Sequence, residues 1–229
     1  MKFTSTVYAA ASGSVGGLTY SHNKGGQYTR ARKIPTNPNS AFQQVIRSLV
    51  SQISDAWANT LTSAQRTAWN TYAANVSMLD RLGQSMKLSG LNHYIRSNVP
   101  RVQAGLARID AGPSTFNLGD YTPCTFTSLV AATGVVSIGF TTSDDWVSET
   151  AAALLLYVSK PQQDTIAYFK GPYRLAGMLQ GNAGSPPVSP GTWNSPYTYV
   201  AGQVAHIRLQ VVRANGRLSA DQRLFLAAT

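Results

Sequence analysis

The sequence is poor in cysteine, histidine and carboxylate, and each shortage removes a class of chemistry. A single cysteine, Cys124, among 229 residues excludes an internal disulfide framework and any cysteine-based metal centre. Three histidines, His22, His93 and His206, stand far apart and in no ligand spacing of the H-E-x-x-H kind. Nine acidic residues leave general acid–base chemistry poorly supplied. Asp144, Asp145 and Glu149 fall in TTSDDWVSET, which lacks the D-x-[DN]-x-[DN]-G calcium pattern and reads as a solvated loop between strands. Asp80, Asp110 and Asp120 are isolated, and no G-x-S-x-G turn is present. Cys124, beside Pro123, has no neighbouring base or cation in the sequence and reads as a small buried hydrophobe. Long hydrophobic runs are missing too, none approaching the ~18 residues of a membrane span. The N-terminal MKFTSTVYAAASGSVGG faintly imitates a signal peptide, but Thr and Ser break its apolar stretch, so it reads as mature sequence. The expectation is a non-enzymatic protein with no cofactor, no metal, no small-molecule substrate and no membrane partner.

Charge is the next shortage. Charged residues make up 12% of the chain and hydrophobic residues 43%, against ~25% charged in ordinary soluble domains. The solvent face must therefore be built from Ser, Thr, Asn, Gln and Gly, which suits a protein packed against copies of itself. The net charge of +10 is uneven: residues 1–110 hold twelve Lys or Arg and three Asp or Glu, residues 111–229 seven and six. A basic N-terminal half points to an acidic partner, with nucleic acid the usual candidate. The basic residues are scattered, however, which disfavours that partner.

Between Gly13 and Pro38 the chain carries five glycines and four basic residues. It is neither a Walker loop, since Lys24 precedes Gly25 and Gly26, nor a G-x-G-x-x-G fingerprint, since the spacing is Gly13-x-x-Gly16-Gly17. Glycine then serves where backbone turns or lies close to another surface. Residues 1–37 read as an extended basic arm of short strands, with Tyr8, Tyr20 and Tyr28 as amphipathic anchors and Arg30, Arg32 and Lys33 as its basic cluster.

Residues 38–110 read as a small helical domain. Asn37 and Pro38 signal a helix start. Phe42, Val45, Ile46, Leu49, Val50, Ile53 and Trp57 then recur at three and four residues, one apolar stripe. A second helix opens with Thr62 and Gln65 spaced as a capping box and buries Ala68, Trp69, Tyr72, Ala73 and Val76, while Arg66 faces solvent. The helical core is expected to comprise Phe42, Ile46, Leu49, Ile53, Trp57, Trp69 and Tyr72. A third helix lies across SGLNHYIRSNVPRVQAG with Leu91, Tyr94 and Ile95 inward, and Pro100 should end or kink it. No helix carries the exposed Arg, Asn and Gln cluster of a DNA-recognition helix.

After a Gly/Pro-rich linker near Gly112-Pro113, residues 111–229 turn to short β-rich runs: GVVSIGF, AAALLLYVSKP, TIAYF and QVAHIRLQVVRANGRLS. This spacing predicts an antiparallel β-sandwich, and the fold class is α+β. The tail HIRLQVVRANGRLS, with Ile207, Leu209 and Val211 alternating before Asn215-Gly216, resembles the last hairpin of a fibronectin type III domain, and GVVSIGF and LLLYVSKP resemble its earlier strands. GSPPVSPGTWNSP is longer than that family's usual connections.

The first half also has a resemblance. The order Gly-rich arm, YTRARKIPTNPNS, amphipathic helix, WANTLTSAQRTAWNTYA and SGLNHYIRSN, over residues 13–98, is similar to an uncharacterised family of bacterial and phage proteins. The company such proteins keep implies a structural protein of a virion: a tail, connector or head-decoration part of a tailed phage, with copies of itself and other virion proteins as partners. Two alternatives stand beside it. One is a nucleic-acid-binding or packaging protein using the basic half. The other is a carbohydrate- or receptor-binding module using Trp146, Trp193, Tyr197 and Tyr199 in loops, although Trp146 also suits the sandwich core.

Overall fold

A computed structural model describes residues 11–23, 25–34, 36–80 and 82–229. The chain is of mixed α+β class, with four antiparallel sheets among the described residues. Tyr8 lies outside the described residues.

The arm forms a three-stranded sheet of β1 (Gly13–Val15), β2 (Leu18–Asn23) and β3 (Gly26–Ala31). Gly16, with φ +57°, occupies the tight turn joining the first two strands, a backbone state that glycine adopts without steric penalty. No described residue from 11 to 34 is buried, so this sheet has no core of its own.

Helix α1 (Ala41–Asn59) starts three residues later than Pro38 suggests, because Ser40 and Gln43 form a reciprocal cap. Helix α2 (Ser63–Asn75) begins with the Thr62–Gln65 capping box read from the sequence. Arg66, expected in solvent, is half-buried and donates to the carbonyls of Trp57 and Ala58, closing the end of α1. A short hairpin, β4 (Ser77–Leu79) and β5 (Ser85–Lys87), leads into α3 (Gly90–Gln103). Pro100 does not end α3: the helix runs one turn further and stops at Ala104. A proline this near the C-terminus removes a single ladder bond, and the buried neighbours Asn98 and Arg101 are hydrogen-bonded on either side of it.

The C-terminal section sets β6 (Thr125–Val130), β7 (Val135–Gly139) and β10 (Gly191–Asn194), in the order β10-β7-β6, against β12 (Gln222–Ala227), β11 (Val204–Val212), β8 (Ala153–Ser159) and β9 (Tyr173–Gln180), in the order β12-β11-β8-β9. Leu129, Val136 and Ile138 of the smaller sheet meet Leu154, Leu156, Ile207, Leu209 and Val211 of the larger. The segment TIAYF, expected as a strand, is a loop: its Phe169 stacks on His206 at 5.4 Å and its Ile166 carbonyl accepts from the His206 ring at 3.0 Å. TTSDDWVSET is not simply a solvated loop either. It contains the short helix α4 (Asp145–Ser148), which buries Trp146 and Val147 in the sandwich core.

Strand β8 is buried at every position because both its faces are covered. Leu154, Leu156 and Val158 point to the sandwich core, while Ala153, Leu155 and Tyr157 point the other way, to Leu106, Val212 and Leu218. That double covering explains why AAALLLYV is a continuous apolar run rather than an alternation. It also means that the helical section is docked on the outer face of the larger sheet rather than set apart from it by the linker.

Candidate interaction surface

The helical core is built at the second half of α1. Ile53, Leu61, Trp69, Tyr72, Val76 and Tyr94 are buried together. The Trp69 ring meets Tyr94 edge-on at 5.5 Å and Tyr72 at 5.9 Å, and its indole N–H donates to the Asp110 carbonyl at 3.0 Å. Trp57 is half-buried on Tyr94, with ring centroids 5.6 Å apart. Of the seven residues expected in this core, Phe42, Ile46 and Leu49 are not brought into it. The reason is length: α1, with 19 residues, is about 28 Å long, whereas α2 and α3, with 13 and 14, reach only about 20 Å. The first three turns of α1 hold no buried residue. There Phe42, Ile46 and Leu49 are half-buried, while Val45 and Val50 are exposed. Phe42 has the Arg174 guanidinium over its ring at 5.4 Å.

In the arm, strand register decides which side chains share a face. Val15, Leu18 and Ala31 are mutual partners, as are Gly13, Tyr20 and Thr29, so these six lie on one face together. Ser14, Thr19 and Arg30 pair on the other, where Tyr28 and Ser21 also lie. Tyr20 and Tyr28 therefore serve opposite faces, both half-buried. Arg30, Arg32 and Lys33 are all exposed, and no carboxylate precedes Asp55 in the chain.

Sequence periodicity missed the polar face that α3 buries. His93, Ser97, Asn98 and Arg101 are all buried; their three- and four-residue spacing carries the signal, but periodicity assigns polar residues to solvent. Arg101 donates to the carbonyls of Ala107, Arg213 and Ala151 at 3.1, 2.9 and 3.1 Å. Arg96 donates to those of Leu218 and Ser219, both at 2.7 Å. Tyr72 Oη donates to the Asn117 carbonyl at 2.8 Å, and Arg217 bonds the Asn117 side chain. These contacts join the helices to the β11–β12 connection. Asp110, which looks isolated in sequence, accepts from Tyr94 and from both arms of Arg108. The Arg108 bond, with that of Tyr94, holds its carboxyl below the usual range.

The remaining polar groups are mostly engaged in structure. Asp144 accepts from the Thr122 backbone and hydroxyl, and Arg213 is paired with Glu149 and Asp145. Burial pushes the Glu149 carboxyl up, but the bonds from Arg213 and the Ala214 N–H outweigh it and leave it low. Burial, helped by Asp144, pushes the Cys124 thiol up to about 12. Trp146, Trp193 and Tyr199 are buried and Tyr197 is half-buried, so these four, expected in loops, do not form an exposed aromatic surface. Among the described residues no group of three His, Cys, Asp or Glu is placed to hold a metal, and no helix is long and apolar enough to cross a membrane. An open groove of about 480 Å³ runs between Thr67 and Thr71 of α2 and Pro113 and Phe116, and its lining has no titratable side chain.

His93 makes a prediction of its own. Its ring is buried edge-on to Tyr72 at 5.1 Å, and neither nitrogen has a hydrogen-bond partner. Burial, with the Arg96 charge adding, pushes it down to about 4. The imidazole is thus neutral when folded and protonates near its ordinary pKa of ~6.5 when unfolded. The unfolded state binds more protons between these values, so stability falls as pH drops from about 6.5 to about 4. The expected loss by pH 4.5 is on the order of 2 kcal/mol. Urea midpoints at pH 7.5 and 4.5 should separate in the native protein and converge in His93→Phe; an equal separation in both would refute it.

No protein-family model, curated protein or solved structure matches the chain.

Proposed function

We propose that the chain is a structural virion protein of a tailed phage or phage-like particle, in its tail, connector or head decoration, assembled from copies of itself and other virion proteins through residues 1–37. The observation that carries this reading is the β1–β3 sheet: no described residue in it is buried, and Val15 and Leu18 stand exposed on one face. A three-stranded sheet needs a hydrophobic face or a packed helix for independent stability, and none of its described residues is buried. The family resemblance over residues 13–98 supports the virion setting. The seven strands β6–β12 support a fibronectin type III-like sandwich as the body's finer architecture. First, second and fifth strands form one sheet, and the fourth pairs with the third rather than with the fifth, as it does in the seven-strand immunoglobulin arrangement.

Deleting residues 1–37 tests the assembly role. The truncated chain should keep its circular dichroism and melting temperature and lose higher-order association in light scattering. Unchanged particle mass would defeat the proposal. A second reading, an arm that binds polyanions, is favoured by exposed Arg30, Arg32 and Lys33 in a stretch without carboxylates. It would appear in the same comparison as loss of salt-sensitive DNA retention with mass unchanged.

A further inference from the structure

The helical section packs on the outer face of the larger sheet through Leu106, against Ala153 and Leu155. Further along, the same face gathers two arginines and a run of rings. Arg208 of β11 stands directly opposite Arg223 of β12 on one side and Tyr157 of β8 on the other, its guanidinium 4.3 Å over the Tyr157 ring and 5.8 Å from that of Tyr173. One row along, Phe225 faces His206 with ring centroids 5.6 Å apart. His206 stacks on Phe169, and Phe169 meets Tyr173 edge-on at 5.2 Å, so the rings cross the sheet from β12 to β9. Tyr168, next to Phe169, interacts electrostatically with Tyr173 and Arg223. We infer that this face binds single-stranded nucleic acid, Arg208 and Arg223 taking a phosphate while Tyr168 and Phe225 stack the bases beside it. The site lies outside residues 1–37 and does not depend on their role in assembly.

Nothing in the fold calls for the arginine pair. Like charges directly opposite across two strands are destabilising, and only one of the two is offset: Asp221 bonds Arg223 at 2.8 Å, whereas Arg208 makes no ion pair among the described residues. Two guanidinium forks side by side match the oxygens of a phosphate. The connection between β8 and β9 adds exposed Lys160 and Lys170 against Asp164, so the face and its loop carry four cations and two carboxylates. Their charge suits an anion.

The rings narrow the choice of anion. Phe225 is 57% and Tyr168 73% exposed, so their outer surfaces are not spent on the protein's own core. A base of a single strand has a free π-face to lay on such a ring, and the stacking is tolerant of sequence. In a duplex those faces are already stacked on one another, which leaves the rings without a partner. The platform is also preorganised, because Tyr173 Oη donates to the Phe169 carbonyl at 2.9 Å and the His206 ring bonds the Ile166 carbonyl. Little loop ordering is then left to oppose binding.

Fluorescence anisotropy of a labelled oligothymidylate of ~15 nucleotides, titrated with the full-length protein, tests this. Tyr168→Ala and Phe225→Ala should each weaken binding at least ~5-fold, as loss of one stacked base does, with circular dichroism unchanged because both rings are largely in solvent. Arg223→Gln should flatten the slope of log affinity against log salt by ~0.7, the value for one phosphate of a single strand. The combined Arg30→Gln, Arg32→Gln and Lys33→Gln variant of the arm should retain the dependence on both rings. Absence of binding by the native protein, or equal affinity in both ring variants, would overturn the inference. Loss confined to the arm variant would overturn it as well and assign the anion to residues 30–33. Displacement by polyglutamate as readily as by unlabelled oligothymidylate would reduce the face to a charge patch and refute the stacking.

Discussion

Trp69→Ala is expected to lower stability by ~3–5 kcal/mol, as truncation of a buried tryptophan does, which for a chain of this size shifts melting by roughly 10 °C. The ring is wholly buried, touches Tyr72 and Tyr94, and its N–H is bonded to the Asp110 carbonyl. The loss is not confined to the helices. A Cβ on Gly216, which has φ +88°, would sit 3.4 Å from the Trp69 ring, so the indole also backs the turn between β11 and β12. Independent cores would let the helices melt alone; this contact predicts that the sandwich is weakened as well. Trp57→Ala should cost clearly less, because Trp57 is only half-buried. Thermal melts followed by far-ultraviolet dichroism and by tryptophan fluorescence would check both variants. Equal shifts for the two would contradict this account of the core.

The parts of the fold legible in the sequence are those where local chemistry and burial agree. Thr62 and Gln65 announce α2 because capping is a local interaction, and Ile207, Leu209 and Val211 announce β11 because one face of that strand looks into the core. Legibility fails where tertiary contacts decide. The stripe from Phe42 to Trp57 is continuous in sequence, yet no residue of its first half is buried, since nothing local records that α2 and α3 are shorter than α1. Strand β9 was hidden by a register shift opposite Leu156 and Tyr157, which interrupts the alternation in YRLAGMLQ. TIAYF has strand-like composition, but Ile166 and Phe169 sit three apart to lean on His206, a loop spacing. In the candidate surface, the short strands of the arm were readable from Gly and Tyr placement, whereas Tyr20 and Tyr28 fall on opposite faces only once the register is known. The buried polar row of α3 was least legible: Arg101 is held there by the Ala151 and Arg213 carbonyls, 50 and 112 residues away, and carbonyls have no signature in the side-chain sequence.

Arg101→Ala is the complementary result, expected to cost ~3–5 kcal/mol and to uncouple the two halves of the molecule. The guanidinium is buried, and burial lowers its pKa with no carboxylate in compensation. It is held by three carbonyls: Ala107 beyond the end of α3, Ala151 before β8 and Arg213 after β11. Five N–H donors in a rigid plane suit this fan of acceptors. Removing the side chain takes the guanidinium bonds from the Ala107 and Ala151 carbonyls and leaves the Arg213 carbonyl only its bond from the Gly216 N–H, a buried acceptor left unbonded costing about 1–3 kcal/mol. Arg101→Lys should recover less than half of the loss, because an ammonium on a flexible stem does not reach three carbonyls spread round a planar fork. A purely volumetric role predicts the opposite, with lysine nearly as good as arginine and Arg101→Met better than Arg101→Ala. The sandwich keeps its own core around Trp146 and Leu154, so in Arg101→Ala the helical dichroism should melt below the near-ultraviolet signal of that core. Coincident transitions at the native midpoint would show that Leu106 against Ala153 and Leu155, not Arg101, holds the helices to the sheet.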